Sequence, residues 1–155
     1  MKAMFDLLRQ YSADPSADQI RLWDIIVFDY LIGNADAHIK NFSLLYGADL
    51  KRVRLAPAYD IVSTTVYEQS TRDMAFRIGG VQTIDDITVD SFRTAAREAG
   101  IGERMAMRRF EIMCERFVPA LRQSALELAS DGYPNAIEME KRILSSGGIA
   151  KHRIL

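Results

Sequence analysis

The sequence is poor in several residue types that announce a function early. It holds one cysteine and two histidines in 155 residues, which excludes an internal disulfide framework and any cysteine-rich zinc site. His38 and His152 stand at opposite ends of the domain and do not form a metal pair by spacing. An excess of charge is missing too. Twenty Lys and Arg meet 21 Asp and Glu, for a net charge of -1, so no field would hold a polyanion by charge alone. The most apolar stretch, Leu22–Ile32, is broken by Asp24 and Asp29 and is too short to span a bilayer. The first residues lack the apolar core and small-residue site of a signal peptide. With a lone thiol that fits a reducing compartment, these absences predict a soluble cytoplasmic chain with no membrane partner. Neither phosphate-cradling glycine loop is present, and no Gly-x-Ser-x-Gly marks a hydrolase nucleophile.

What is present is a core. Hydrophobic residues make up 48% of the chain, enough for one domain of ordinary size. The reading is a single domain over residues 1–155, mainly α with a small antiparallel β patch in its first half. A short helix is expected over 2–11, followed by a turn at Ser12–Ser16. A second helix is expected over about 17–32, capped by Ser16 or Asp18; it is apolar nearly all round and therefore central. Gly33 and Asn34 end it, with Asn34 read as a C-cap. A hairpin is expected from Phe42–Tyr46 and Arg52–Leu55, and a short strand at Met74–Ile78, closed by Gly79 and Gly80. Thr88 caps a helix over 89–99. A longer helix begins near Gly102, and Pro119 is expected to kink or split it. A last helix covers about 135–144.

Polar residues concentrate between the central helix and the hairpin: Asn34, Asp36, His38, Lys40 and Asn41. One further aspartate, Asp60, follows the hairpin. Asp36 and Asn41 stand five apart, the spacing of a kinase catalytic loop in which an Asp accepts the substrate hydroxyl proton and an Asn holds magnesium. Asp60 fits the second magnesium-binding Asp, with Ile61 and Val62 after it as an apolar anchor. Phosphoryl transfer needs oxygen ligands for a hard cation and one carboxylate left free to orient the attacking hydroxyl. The Asp–Asn spacing alone is a weak signal. A helix-terminating loop whose side chains cap backbone groups explains Asp36 and Asn41 about as well, and Asp60 alone reads as a turn residue.

Two motifs decide between these readings. The run Val27-Phe-Asp-Tyr-Leu-Ile-Gly-Asn-Ala-Asp-Ala-His-Ile-Lys-Asn-Phe-Ser-Leu-Leu-Tyr46, followed by Arg54-Leu-Ala-Pro-Ala-Tyr-Asp-Ile-Val-Ser-Thr64, closely resembles the C-terminal region of the HipA family. These are bacterial serine/threonine kinase toxins of toxin–antitoxin modules. The resemblance covers essentially the whole chain and is densest over residues 8–64. It implies a protein-kinase-like C-lobe that transfers the ATP γ-phosphate to a protein serine with magnesium, and repression by a helix-turn-helix antitoxin. The family's target type is a glutamate–tRNA ligase, and DNA is reached only through the antitoxin. By the same resemblance Asp36 is the catalytic base, Asn41 and Asp60 are the metal ligands, and His38 and Lys40 lie near the phosphates.

A family member is far longer, and its first half carries the phosphate-covering loop, the ATP-binding lysine and the adenine hinge. Residue 1 falls roughly where the family's helical lobe begins. Two functions therefore stay open. One is a catalytic lobe completed by an N-lobe in cis or encoded separately. The other is a catalytically incomplete lobe that binds the antitoxin or another subunit.

The remaining features read as structure. Trp23, Phe28 and Tyr30 are core residues, and Met105, Met107 and Met113 are helix packing. Lys51, Arg52 and Arg54 form a solvated hairpin face, and Lys151–Arg153 a mobile polar end.

Overall fold

The computed structural model describes residues 1–152, and Arg153 lies outside the described residues. Helix α1 spans Lys2–Tyr11 and buries Met4, Phe5 and Leu8, which share one helical face. The Arg9 guanidinium donates to the Ala99 carbonyl at 2.8 Å, tying α1 to the end of a helix 90 residues away.

Helix α2, Pro15–Ile32, is the axis of the molecule. Its cap is neither Ser16 nor Asp18. Asp14 accepts from the Ala17 amide at 3.1 Å, and Pro15 takes the first helical position, where a missing N–H costs nothing. Asp18 is instead fully buried and drawn across to the hairpin. Gly33 ends the helix at φ 82°, and the Asn34 amide closes on the Asp29 carbonyl at 2.8 Å. A Cβ on Gly33 would lie 2.0 Å from the Thr65 hydroxyl, so only glycine fits. The C-cap is therefore Gly33, and the Asn34 side chain has other work.

Of two small antiparallel sheets, the first packs against α2 and the second against a later helix. Strands β1, Leu44–Tyr46, and β2, Val53–Leu55, pair Leu44 with Leu55 and Tyr46 with Val53. Strand β3, Asp73–Ile78, pairs with β4, Val81–Thr83, across Gly79 and Gly80. Helix α3, Val89–Ala99, carries the expected Thr88 cap, in a box with Ser91, and ends on Gly100. Helix α4 runs unbroken over Glu103–Ser130. Pro119 does not split it: the proline is exposed while Phe117 two residues earlier is buried. The carbonyl that loses its helical partner thus lies on the watery side, and core packing holds the rest. Helix α5 is Ala136–Ser146.

The core joins α2, α3 and α4 through aromatic rings. Phe92 packs edge-on against Trp23 at 5.9 Å and Tyr30 at 5.0 Å, and tilts over Phe110 at 4.5 Å. The Trp23 indole donates to the Ala106 carbonyl at 3.0 Å, a bond a buried indole needs. Phe28 is only half-buried and lies against Phe117. The chain's end is not a free polar tail as far as His152. That ring is half-buried, 2.9 Å from the Tyr30 hydroxyl and edge-on to Phe110. Burial holds its basicity below the ordinary histidine value.

One hairpin cation also differs from expectation. Arg54 forms two hydrogen bonds to Asp18, at 3.0 and 3.1 Å, whereas Lys51 and Arg52 keep the solvated face, Arg52 staying 72% exposed beside Asp49.

Candidate active site

The polar loop leaves α2 at Gly33 and runs to β1, with a single 3-10 turn at Ile39–Asn41. It is held from two sides. The Ala75 amide on β3 donates to the Ala35 carbonyl at 3.0 Å. The Thr64 hydroxyl accepts from the Ala35 amide at 2.9 Å and donates to the Gly33 carbonyl at 3.2 Å. Ala35 and Ala37 are buried while Asp36, His38 and Lys40 between and after them are exposed. This alternation turns the polar side chains outward from an anchored backbone.

A narrow cleft opens between this loop and the segment after β2. Asn41 and Asp60 both line it, together with Asp29, Asn34, Ser43 and Tyr59. The structure therefore brings together the two residues expected to hold a cation. The Asn41 amide nitrogen donates to the Asp36 carbonyl at 3.4 Å, which commits Nδ2 and leaves Oδ1 as the donor atom available to a cation. Asp60 is exposed and has φ +56°. Outside glycine this left-handed backbone is uncommon, and Asp and Asn adopt it most readily.

Asp36 is not among the residues that line the cleft; its main-chain carbonyl meets the cleft through the Asn41 amide. Its side chain is 64% exposed and lies 3.0 Å from His38 Nε2, so His38 holds a carboxylate that still faces solvent. Lys40 is exposed on the same turn, and its carbonyl accepts from the Tyr59 hydroxyl at 2.9 Å. Tyr59 also meets the Ser43 hydroxyl at 2.6 Å. The residue just before Asp60 thus clasps the residue just before Asn41. The anchor expected after Asp60 is only partly there: Ile61 is half-buried, but Val62 is 49% exposed. Ser63 and Thr65 supply the attachment instead, the first through a 2.6 Å bond to the Ile32 carbonyl.

Beneath the cleft lie two buried polar residues that the sequence motifs leave without a role. Asp29 and Asn34 are each 2% exposed, and the Asn34 amide donates to the Asp29 carboxylate at 2.9 Å. Burial pushes the Asp29 carboxyl up to about 6, against the opposing pull of the Asn34 amide. The signal in the sequence was the carboxylate itself, set inside the apolar stretch Leu22–Ile32 where a central helix has no surface to offer it.

The donor chemistry suits a hard cation. Among the described residues no three His, Cys, Asp or Glu side chains cluster as a metal cage. An amide oxygen and one carboxylate are what magnesium takes from a protein when substrate phosphates and water complete its shell. The arrangement is an amide oxygen and a carboxylate lining one cleft, with an exposed carboxylate paired to His38 on the adjoining loop.

The fold is that of a kinase-like helical lobe. The chain belongs to the HipA-like C-terminal domain family, whose model matches residues 1–121. It is 38% identical over 150 residues to the protein named "Putative kinase Y4mE" of Sinorhizobium fredii, covering 97% of this chain and 35% of that one. It is 33% identical over 92 residues to "Putative kinase Y4dM" of the same organism, covering 59% of this chain and 22% of the relative. Among solved structures it is similar to HipA of Shewanella oneidensis, determined in complex with HipB and operator DNA. That likeness has a TM-score of 0.80 at 21% identity, over 95% of this chain and 34% of the other. The chain thus spans about a third of the length of Y4mE and of the Shewanella HipA, and its match to Y4dM covers about a fifth of that protein. No helix among the described residues is long and apolar enough to cross a membrane.

Proposed function

We propose that this chain is the catalytic helical lobe of a HipA-like serine/threonine protein kinase of a bacterial toxin–antitoxin system. The observation that carries the reading is the cleft shared by Asn41 and Asp60, with the exposed Asp36 carboxylate, paired to His38, on the same loop as Asn41. In this reading Asp36 takes the proton of the substrate serine hydroxyl as that oxygen bonds to the γ-phosphorus of ATP and the bond to the β–γ bridging oxygen breaks, releasing ADP. Asn41 Oδ1 and the Asp60 carboxylate hold magnesium, which when bound supplies neutralisation of the phosphate charge. His38 orients Asp36, and Lys40 offers a cation to the phosphate oxygens from the same turn. The remaining ATP contacts belong to an amino-terminal lobe, in cis or separately encoded. The protein substrate is of the aminoacyl-tRNA synthetase type, and the antitoxin is a helix-turn-helix protein that alone contacts DNA. The setting is the cytoplasm.

The test is phosphotransfer from labelled ATP by this chain fused to the amino-terminal two-thirds of the Y4mE-type relative. Asp36→Ala and Asp60→Ala are each expected to lower the rate at least about 100-fold, with the far-ultraviolet spectrum unchanged. Activity that survives both substitutions would refute the role assignment.

A second reading is favoured by one fact, the likeness to a HipA determined in complex with HipB and operator DNA. Here the lobe is catalytically incomplete and serves as a docking subunit for the antitoxin. It predicts that the fusion fails to transfer phosphate while the isolated chain still retains the antitoxin on a column.

A further inference from the structure

The buried pair beneath the cleft has more donors and acceptors in it than helix termination requires. Gly33 already ends α2 with its left-handed backbone, and the main-chain amide of Asn34 completes that cap on the Asp29 carbonyl. The Asn34 side chain is left over. It is 2% exposed, and its single amide nitrogen has two hydrogens. One goes to the Asp29 carboxylate at 2.9 Å and the other to the main-chain carbonyl of Asp60 at 3.4 Å. That carbonyl belongs to a residue held at φ +56°, a backbone state that persists where its surroundings determine it.

We propose that Asp29 and Asn34 are positioning residues. Asn34, anchored by the Asp29 carboxylate, holds the Asp60 carbonyl and so fixes the turn that presents the Asp60 carboxylate beside Asn41. The assignment of purpose rests on reading Asn41 and Asp60 as a cation pair; the mechanical claim about Asp60 does not. Both partners are needed. Without Asp29, the Asn34 amide has no fixed direction on the central helix. Without Asn34, the Asp60 carbonyl loses the side-chain donor that reaches it across 26 residues of chain. Such supporting contacts behind a cation ligand typically change cation affinity by about 10- to 100-fold when removed.

The experiment is nitrogen-15 relaxation on the 155-residue chain, followed by titration with Mn2+ as the probe and line broadening as the readout. In the wild type the Asp60 amide is expected to have an order parameter of about 0.85, as in rigid backbone. Asn34→Ala is expected to bring it below about 0.6 and to weaken Mn2+ binding about tenfold. Where Asn34→Ala does not fold, Asn34→Ser serves, because its one hydroxyl hydrogen can satisfy only one of the two acceptors. Asp29→Leu offers no acceptor and should behave like Asn34→Ala, whereas Asp29→Asn keeps an acceptor and should restore the wild-type order parameter. An Asp60 amide that stays rigid in a folded Asn34 variant overturns the proposal. An Asp60 that loosens as expected, in a chain whose wild type shows no Mn2+ broadening at Asn41 and Asp60, upholds the positioning and overturns the cation reading instead.

Discussion

Asp18 and Asp29 sit about three turns apart on the same helix, both sealed from water at 0% and 2% exposure, and their surroundings differ in kind. Asp18 is saturated with donors. Burial alone would raise its carboxyl, but two bonds from Arg54, the Leu55 amide at 2.8 Å and the Ser12 hydroxyl at 2.7 Å outweigh burial and hold it below the ordinary value. Asp29 receives one neutral amide, and burial wins. A buried carboxylate that has been fully neutralised by its neighbours fastens one element to another, here α2 to the hairpin. A buried carboxylate left under-neutralised is costly, and this one lies directly under the cleft. Perturbed carboxylates of that second kind cluster at functional sites.

The contrast can be broken by substitution. Asp18→Ala strips the Leu55 amide and the Arg54 guanidinium of their shared partner at once. Because Arg54 can turn to solvent, the expected loss is about 3 kcal/mol rather than the top of the range for broken buried pairs, read by urea unfolding. A loss below about 1 kcal/mol would show that Asp18 does not fasten the hairpin.

Asp29→Asn tests the other half through pH. The folded-state value of Asp29 lies above its unfolded value, so the folded protein binds the extra proton and wild-type stability falls as pH rises from about 4 to 6. Asp29→Asn removes that slope. The stability difference between variant and wild type should therefore shift in the variant's favour by about 2 kcal/mol on going from about pH 4 to about pH 7. A difference that does not change over this window would mean that Asp29 is not destabilised by burial. Asp18 gives the opposite slope: its contribution is present above the unfolded value and is lost only as pH falls below it.

The smallest effect sharpens the comparison from outside. Asp14 is an exposed carboxylate that caps the Ala17 amide and lies 3.9 Å from the Arg54 guanidinium. Asp14→Ala should cost about 1 kcal/mol and leave the pH slope assigned to Asp29 unchanged.

The parts of this molecule that could be read directly from its sequence rest on local signals. Thr88 and Gly100 bracket α3 within a few residues, and Gly33 ends α2 for the same reason. In the site, Asn41 and Asp60 were singled out from their place after the central helix and after the hairpin, and the fold sets them on one cleft, while Asp36 stays outside its lining. What stayed hidden depends on partners distant in the chain. Asp18 reads as a first-turn acid until Arg54 and Leu55, 36 and 37 residues on, are placed over it. Strand β4 is three residues long and exists because β3 offers it an edge. Pro119 breaks a helix on propensity, yet α4 continues because its apolar face is packed on both sides of the proline. His152 looks like part of a polar tail until Tyr30, 122 residues earlier, reaches its ring. In the site, the support of Asp60 by Asn34 was invisible for the same reason.

Whether Asn41 and Asp60 form one cation site decides the function of the cleft, and Mn2+ tests this most directly. Added to the 155-residue chain, it should broaden the amide signals of Asn41 and Asp60 first and most strongly, and Asp60→Ala should abolish that pattern while the core signals of Trp23 and Phe92 stay in place. Broadening that is absent, or that centres on another acidic segment such as Asp85 and Asp86, would contradict it.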